Sequence, residues 1–135
     1  MRIIGPLVAV LGLLVCLTAC GADAGGASRP RNDLTIEADA GDGSPVQSWT
    51  LTCDGAAKGT LPDPAAACRQ LQGMDDPFAP LPGDRACTEQ FGGAQTARVS
   101  GVWNGDPVAL ELSRTDGCRI SQWDGLGPLL PIPVG

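Results

Sequence analysis

The one stretch of this chain whose residue types suggest a specific chemistry is Ala86–Gly93, reading Ala-Cys-Thr-Glu-Gln-Phe-Gly-Gly. Cys87 can tie one end covalently, Thr88, Glu89 and Gln90 are polar, and Phe91 is a lone aromatic ahead of two glycines. It reads as a peptide presented to another protein's cleft rather than as catalytic apparatus. The rest of the chain agrees by what it lacks. With no His and no Tyr among 135 residues, neither Ser-His-Asp nor Cys-His catalysis can be assembled, nor any metal site that needs an imidazole. Ser, Lys58 and scattered carboxylates form no local nucleophile and base pair, so an enzyme is not expected. Asp39 with Asp42 and Asp75 with Asp76 lack the ligand ladder of a calcium loop and read as solvated turn residues. No metal and no cofactor is expected.

The amino terminus sets the compartment. Met1 and Arg2 precede an almost wholly apolar run, Ile3 to Val15, which ends in Leu17-Thr18-Ala19-Cys20. That is an export signal, and the run falls short of the ~20 apolar residues that span a bilayer as a helix. Leu-Thr-Ala-Cys matches the lipobox of bacterial lipoproteins. The match implies a signal peptide over residues 1–19 and a diacylglycerol on Cys20, which becomes the first mature residue. An ordinary secretory leader is the alternative. The expected location is the extracellular face of the bacterial cell membrane, lipid-anchored, with a released form as the alternative. Removing nineteen of 135 residues leaves 116, enough for one domain with a modest core. Eight basic residues then face fifteen acidic ones, a formal charge of −7, which argues against nucleic acid as a partner.

The elements that position the loop follow from patterning. Residues 20–32, rich in Gly, Ala and Ser from Gly21 onward, have the composition of a flexible tether. From Leu34 the chain alternates, with Leu34, Ile36 and Ala38 on one face and Thr35, Glu37 and Asp39 on the other. After the turn cluster Gly41 to Pro45, Val46 to Cys53 alternates again with Trp49, Leu51 and Cys53 inward, which predicts a hairpin. Asp63, Pro64 and Gly73 read as cap, first helical residue and stop around Ala65–Gln72, a short helix carrying Cys68. Four Pro or Gly residues break the chain between Met74 and Arg85. Asn104-Gly105 is a two-residue hairpin turn. It sets Val99 opposite Leu110, Ala97 opposite Leu112, Gly101 opposite Val108 and Arg98 opposite Glu111, and it leaves Pro107 facing an edge. Trp49, Trp103 and Trp123 read as core, and Arg85, Arg98, Arg114 and Arg119 as surface charges. The Pro-rich tail, residues 127–135, either lies across the sheet or stays loose.

Cys53, Cys68, Cys87 and Cys118 form an even set in an exported domain, which implies two disulfides. Three connectivities are open, and spacing favours the sequential one, Cys53 with Cys68 and Cys87 with Cys118. A zinc site is the rival reading, without a close Cys-x-x-Cys pair or a His to support it.

Trp49-Thr50-Leu51-Thr52-Cys53, Ala67-Cys68, Ala86-Cys87-Thr88, Gly101-Val102-Trp103 and Asp116-Gly117-Cys118 together resemble the Streptomyces subtilisin inhibitor-like family over about residues 34–124. The resemblance implies an α+β fold, a five-stranded antiparallel sheet with two short helices and two sequential disulfides, over a domain spanning residues 33–126. A homodimer is frequent in such a family and is an expectation here. Its members bind serine proteases as unusually rigid substrates. The reactive-site loop implied for this chain is Cys87, Thr88, Glu89, Gln90 and Phe91, with the scissile bond at Glu89-Gln90 and Asp116 as loop support.

Two departures from the family pattern bear on function. The segment after Cys87 is one residue longer, with Phe91-Gly92-Gly93 in place of a Tyr-Asp-Pro-like turn, which predicts a looser leaving side. Glu89 suits neither the apolar pocket of a subtilisin-like protease nor the acidic pocket of a trypsin-like one. The expected partner is a serine endopeptidase of subtilisin-like, trypsin-like or glutamyl-specific type. Either that target prefers glutamate, through a basic or polar pocket, or the domain is a non-inhibitory binding or structural lipoprotein that keeps the scaffold.

Overall fold

The computed structural model describes residues 29–134. The export signal, Cys16, Cys20 and most of the tether lie outside the described residues. Strands β1 (Asp33–Asp39), β2 (Gln47–Thr52), β3 (Lys58–Gly59), β4 (Thr96–Trp103) and β5 (Asp106–Ser113) form one antiparallel sheet in the order β3-β2-β1-β4-β5. Two helices, α1 (Pro64–Gln72) and α2 (Gly117–Leu126), complete the fold.

Alternation decides which face of the sheet is buried. Leu34, Ile36 and Ala38 of β1, Leu51 of β2, Ala97 and Val99 of β4, and Val108, Leu110 and Leu112 of β5 all point to one core, shared with Ala67, Cys68 and Leu71 of α1 and Trp123 and Leu126 of α2. The opposite face carries Thr35, Glu37, Thr50 and Arg98 into solvent. Trp103 and Trp123 are buried, Trp49 packs partly against the core, and Phe78 meets Trp103 edge-on at 5.9 Å.

The β4–β5 register is the one the Asn104-Gly105 turn dictates. Val99 pairs with Leu110, Ala97 with Leu112, Gly101 with Val108 and Arg98 with Glu111, and both turn residues have positive φ, 51° and 84°. Pro107 sits on β5, an edge strand, where its missing N–H leaves no ladder bond unmade. In α1 the Asp63 carboxylate accepts from the Ala66 N–H at 2.9 Å, and Pro64 opens the helix. Asp39 and Asp42 serve as turn residues, accepting from the Gly41 N–H and from Ser44. The Ser44 hydroxyl, with its N–H, holds the Asp42 carboxyl below its ordinary value.

Two boundaries differ from the sequence reading. Arg31 and Asn32, assigned by composition to the tether, are fixed in place. Their N–H groups donate to Asp54, the Asn104 N–H donates to the Asn32 side chain at 2.8 Å, and the Gly105 N–H donates to the Arg31 carbonyl at 3.0 Å. The tail is not loose either. A short 3₁₀ turn, Gly127–Leu129, brings Leu129, Leu130 and Ile132 into the core beside α1. The prolines stop a helix or strand from forming there without preventing burial of the aliphatic side chains between them.

Candidate functional site

Between the proline-rich segment and β4, the chain from Arg85 through Gly93 has neither helix, strand nor turn, and Ala86 through Phe91 are all exposed. Phe91 is 69 % exposed, so its ring is not an anchor tucked into the sheet. Among the described residues no hydrogen bond holds Glu89, Gln90 or Phe91, from backbone or side chain. The segment is nevertheless fastened on both sides of Glu89-Gln90.

On the amino-terminal side, Cys87 is bonded to Cys118 with Cα atoms 5.3 Å apart, and the Thr88 carbonyl accepts from the Gly117 N–H at 3.0 Å. Both partners belong to the first turn of α2. Asp116 caps that helix, its carboxylate accepting from the Arg119 N–H at 2.9 Å and from Arg119 Nε at 3.1 Å. The carboxylate of Asp116 therefore hydrogen-bonds Arg119 and no loop atom, although it lies within 4.8 Å of Cys87 Sγ, and the hydrogen bond to the loop is made by the neighbouring Gly117 backbone. Gly117 is there because of crowding. A Cβ on it would overlap Thr88 Oγ1 and lie 3.3 Å from Thr88 Cβ. The second disulfide, Cys53 with Cys68, lies in the core, joining the end of β2 to α1 with Cα atoms 5.7 Å apart. The pairing is sequential, and all four sulfurs are committed to covalent bonds, which removes the zinc alternative.

On the carboxyl-terminal side, the Gly92 N–H donates to the Arg114 carbonyl at 2.7 Å, and Arg114 Nε donates back to the Gly92 carbonyl at 3.1 Å. Arg114 Nη1 bonds Asp124 Oδ1 at 2.6 Å, and its guanidinium lies 5.9 Å from the Trp123 ring centroid. Arg114 is 7 % exposed, the one buried charged residue described. Its assignment as a surface charge is thus corrected, as is the expectation of a loose leaving side at Gly92. The alternation of β5 had announced the burial, because Val108, Leu110 and Leu112 face inward and the next residue of that parity is Arg114. Arg98 and Arg119 do form surface ion pairs, with Glu111 at 3.6 Å and with Asp116.

The arrangement is a peptide open to solvent along its outer edge and held at fixed points two residues before and two after Gln90. It has no nucleophile and base to do chemistry of its own.

The family model described as "Subtilisin inhibitor-like" matches residues 32–115. The chain is 35 % identical over 79 residues to Subtilisin inhibitor-like protein 5 of Streptomyces fradiae, covering 57 % of this chain and 73 % of that protein. It is 34 % identical over 90 residues to Protease inhibitor SIL-V1/SIL-V4 of Streptomyces netropsis, covering 64 % and 81 %. It is 38 % identical over 77 residues to Plasminostreptin of Streptomyces antifibrinolyticus, covering 56 % and 70 %. With its five-stranded antiparallel sheet, two helices and two sequential disulfides, the chain belongs to the subtilisin inhibitor-like family, whose members are protease inhibitors rather than enzymes.

Proposed function

We propose that the protein is a membrane-tethered inhibitor of secreted or cell-envelope serine endopeptidases, which engages them as a substrate through the bond Glu89-Gln90. The observation that carries this reading is the combination of unbroken exposure from Ala86 to Phe91 with fastening at Cys87, Thr88 and Gly92. A peptide already held close to its bound shape loses little conformational entropy on docking, which favours affinity. The same rigidity disfavours net cleavage. The protease serine takes the Glu89 acyl group, the C–N bond breaks, and Gln90 leaves with the proton as a free amine. Because that amine is still attached to the fold, the reverse reaction competes with hydrolysis. Interfaces of this type bury about 1,600 Å² in total and include some of the tightest known.

Glu89 selects among targets. An apolar specificity pocket, or one carrying a carboxylate, must bury its charge unpaired, at a penalty of several kcal/mol. A pocket with basic or polar groups pairs it. The preferred partner is therefore a glutamyl-specific endopeptidase, with subtilisin-like and trypsin-like enzymes bound more weakly. Replacing Glu89 by Met or Leu is expected to raise affinity for subtilisin by orders of magnitude. Equal weak binding by wild type and both variants would count against the proposal.

The tether fits this geometry. β1 starts opposite Val102, beside the Asn104-Gly105 turn, whereas the loop is fastened beyond Ser113 at the other end of the β4–β5 hairpin. Seven residues of β1 at ~3.3 Å each separate the two ends by roughly 20 Å. A lipid on Cys20 would then hold the domain by the pole opposite the loop, leaving Glu89 directed away from the membrane.

A further inference from the structure

We infer that Arg114 is a positioning residue for the leaving side of Glu89-Gln90. It clamps Gly92 so that the Gln90 amine released by cleavage stays within reach of the acyl group. The inference rests on the substrate-like reading of the loop given above.

The leaving side is where this chain should be weakest as an inhibitor. It is one residue longer than the family pattern and carries two adjacent glycines, Gly92 and Gly93. No disulfide reaches it, since the nearer bridge holds the loop at Cys87, ahead of Glu89. Three independent features converge on Gly92 instead. The first is the reciprocal pair of hydrogen bonds between its peptide groups and Arg114, one through the main chain and one through the side chain. The second is the fixation of the guanidinium itself, by Asp124 at 2.6 Å and by Trp123 beneath it, on a side chain that is almost wholly buried. The third is steric. A Cβ on Gly92 would lie 2.7 Å from Ile120 Cδ1 and 3.3 Å from Arg114 Cβ, so the glycine lets the loop press directly onto α2 and the end of β5.

The consequence for religation follows from chain reach. With Gly92 held, the Gln90 nitrogen is two residues from a fixed point and confined within about 7 Å of it. If Gly92 is released, the next regular anchor is Thr96 at the start of β4, six residues away and about 20 Å at full extension. The accessible volume scales as the cube of that reach, so the local concentration of the amine falls by up to about twentyfold. Arg114 supplies, through its carbonyl and its guanidinium together, the restraint that the glycines remove, and a substitution at this position removes the guanidinium half of it.

The experiment compares wild type with Arg114→Met, Arg114→Lys and Asp124→Asn in the domain spanning residues 27–135, which contains every described core residue and both disulfides. Amide hydrogen exchange followed by NMR reads the clamp in the free protein. The cleaved-to-intact ratio reached with catalytic glutamyl endopeptidase, approached from both directions, reads religation. In Arg114→Met, exchange at the Gly92 N–H should speed up by about tenfold, while the Gly117 N–H on the acyl side and the core amides of Val99 and Leu110 keep their protection. The ratio should move toward the cleaved form by about three- to twentyfold, within the bound set by chain reach. Arg114→Lys, which can satisfy Gly92 or Asp124 but not both, should fall between. Asp124→Asn keeps the buried cation and loosens it, giving a smaller change in the same direction, and serves if Arg114→Met does not fold. Equal acceleration at Gly92 and Gly117, or no change at Gly92, overturns the clamp. So does an unmoved ratio where Glu89-Gln90 is being cut. If wild type is neither bound nor cut, the substrate-like reading falls, and the exchange pattern still decides the clamp.

Discussion

Removing the Cys87–Cys118 bridge should expose the difference between holding the domain together and holding the loop still. In the chain-entropy account, a bridge closing a 31-residue separation stabilises by about 3.7 kcal/mol and one closing 15 residues by about 3.0 kcal/mol. Cys87 is exposed and Cys118 half-buried, so replacing both by serine loses little beyond that entropy. Cys53 and Cys68 are 4 % and 5 % exposed, and replacing them by alanine also removes buried packing. The core bridge should therefore matter at least as much to global stability, measured by urea unfolding. With a typical stability of about 5–15 kcal/mol, both variants are expected to retain the fold. The loop responds differently. If half of the about 3.7 kcal/mol restraint acts on local opening, the open loop becomes about twentyfold more populated at 1.4 kcal/mol per decade. Clipping at Glu89-Gln90 by a glutamyl endopeptidase in native buffer, followed by mass spectrometry, should then accelerate by that factor in the Cys87/Cys118 variant only. Equal clipping rates in the two variants, or faster clipping without the core bridge, would refute the reasoning.

Other consequences are more local. Gly117→Ala forces a methyl group into Thr88 Oγ1 and displaces the acyl-side fastening, so affinity for the target protease should drop by about tenfold, with little change in Tm. Leu129→Ala tests the burial of the tail. Leu129 is fully buried, so the substitution should destabilise by about 2–5 kcal/mol in urea unfolding, whereas a loose tail would give no change. The Glu89→Met exchange should redirect affinity toward subtilisin and away from a glutamyl endopeptidase, read as opposite changes in the two inhibition constants.

What could be read from the sequence was what neighbouring residues decide among themselves. Asn104-Gly105 specifies a turn within two residues, and every pairing along β4 and β5 follows from it. Asp63, Pro64 and Gly73 delimit α1 in the same local way, although Gly73 ends the helix with φ −81° rather than in the left-handed region. α2 was implied by the family resemblance and not by its residues. Only Trp123 and Leu126 are buried along it, too few to set up a helical period. Arg114 illustrates the other limit. Its inward parity was visible in β5, but an arginine is buried only where partners meet its charge and its donors. Those partners, Gly92 and Asp124, stand 22 residues before and 10 after it. The Leu129, Leu130 and Ile132 cluster was masked in a similar way, since prolines gave the tail the composition of a linker while α1 offered it a surface to cover.

The most direct test of the central claim is the inhibition constant of the domain spanning residues 27–135 against a glutamyl endopeptidase, with subtilisin and trypsin alongside and mass spectrometry watching Glu89-Gln90. The account predicts tight inhibition of the glutamyl enzyme, weaker inhibition of the other two, and a bond that stays largely intact through prolonged incubation. No inhibition of any of the three, or rapid and complete cutting at Glu89-Gln90, would contradict it and leave a scaffold that binds or supports without inhibiting.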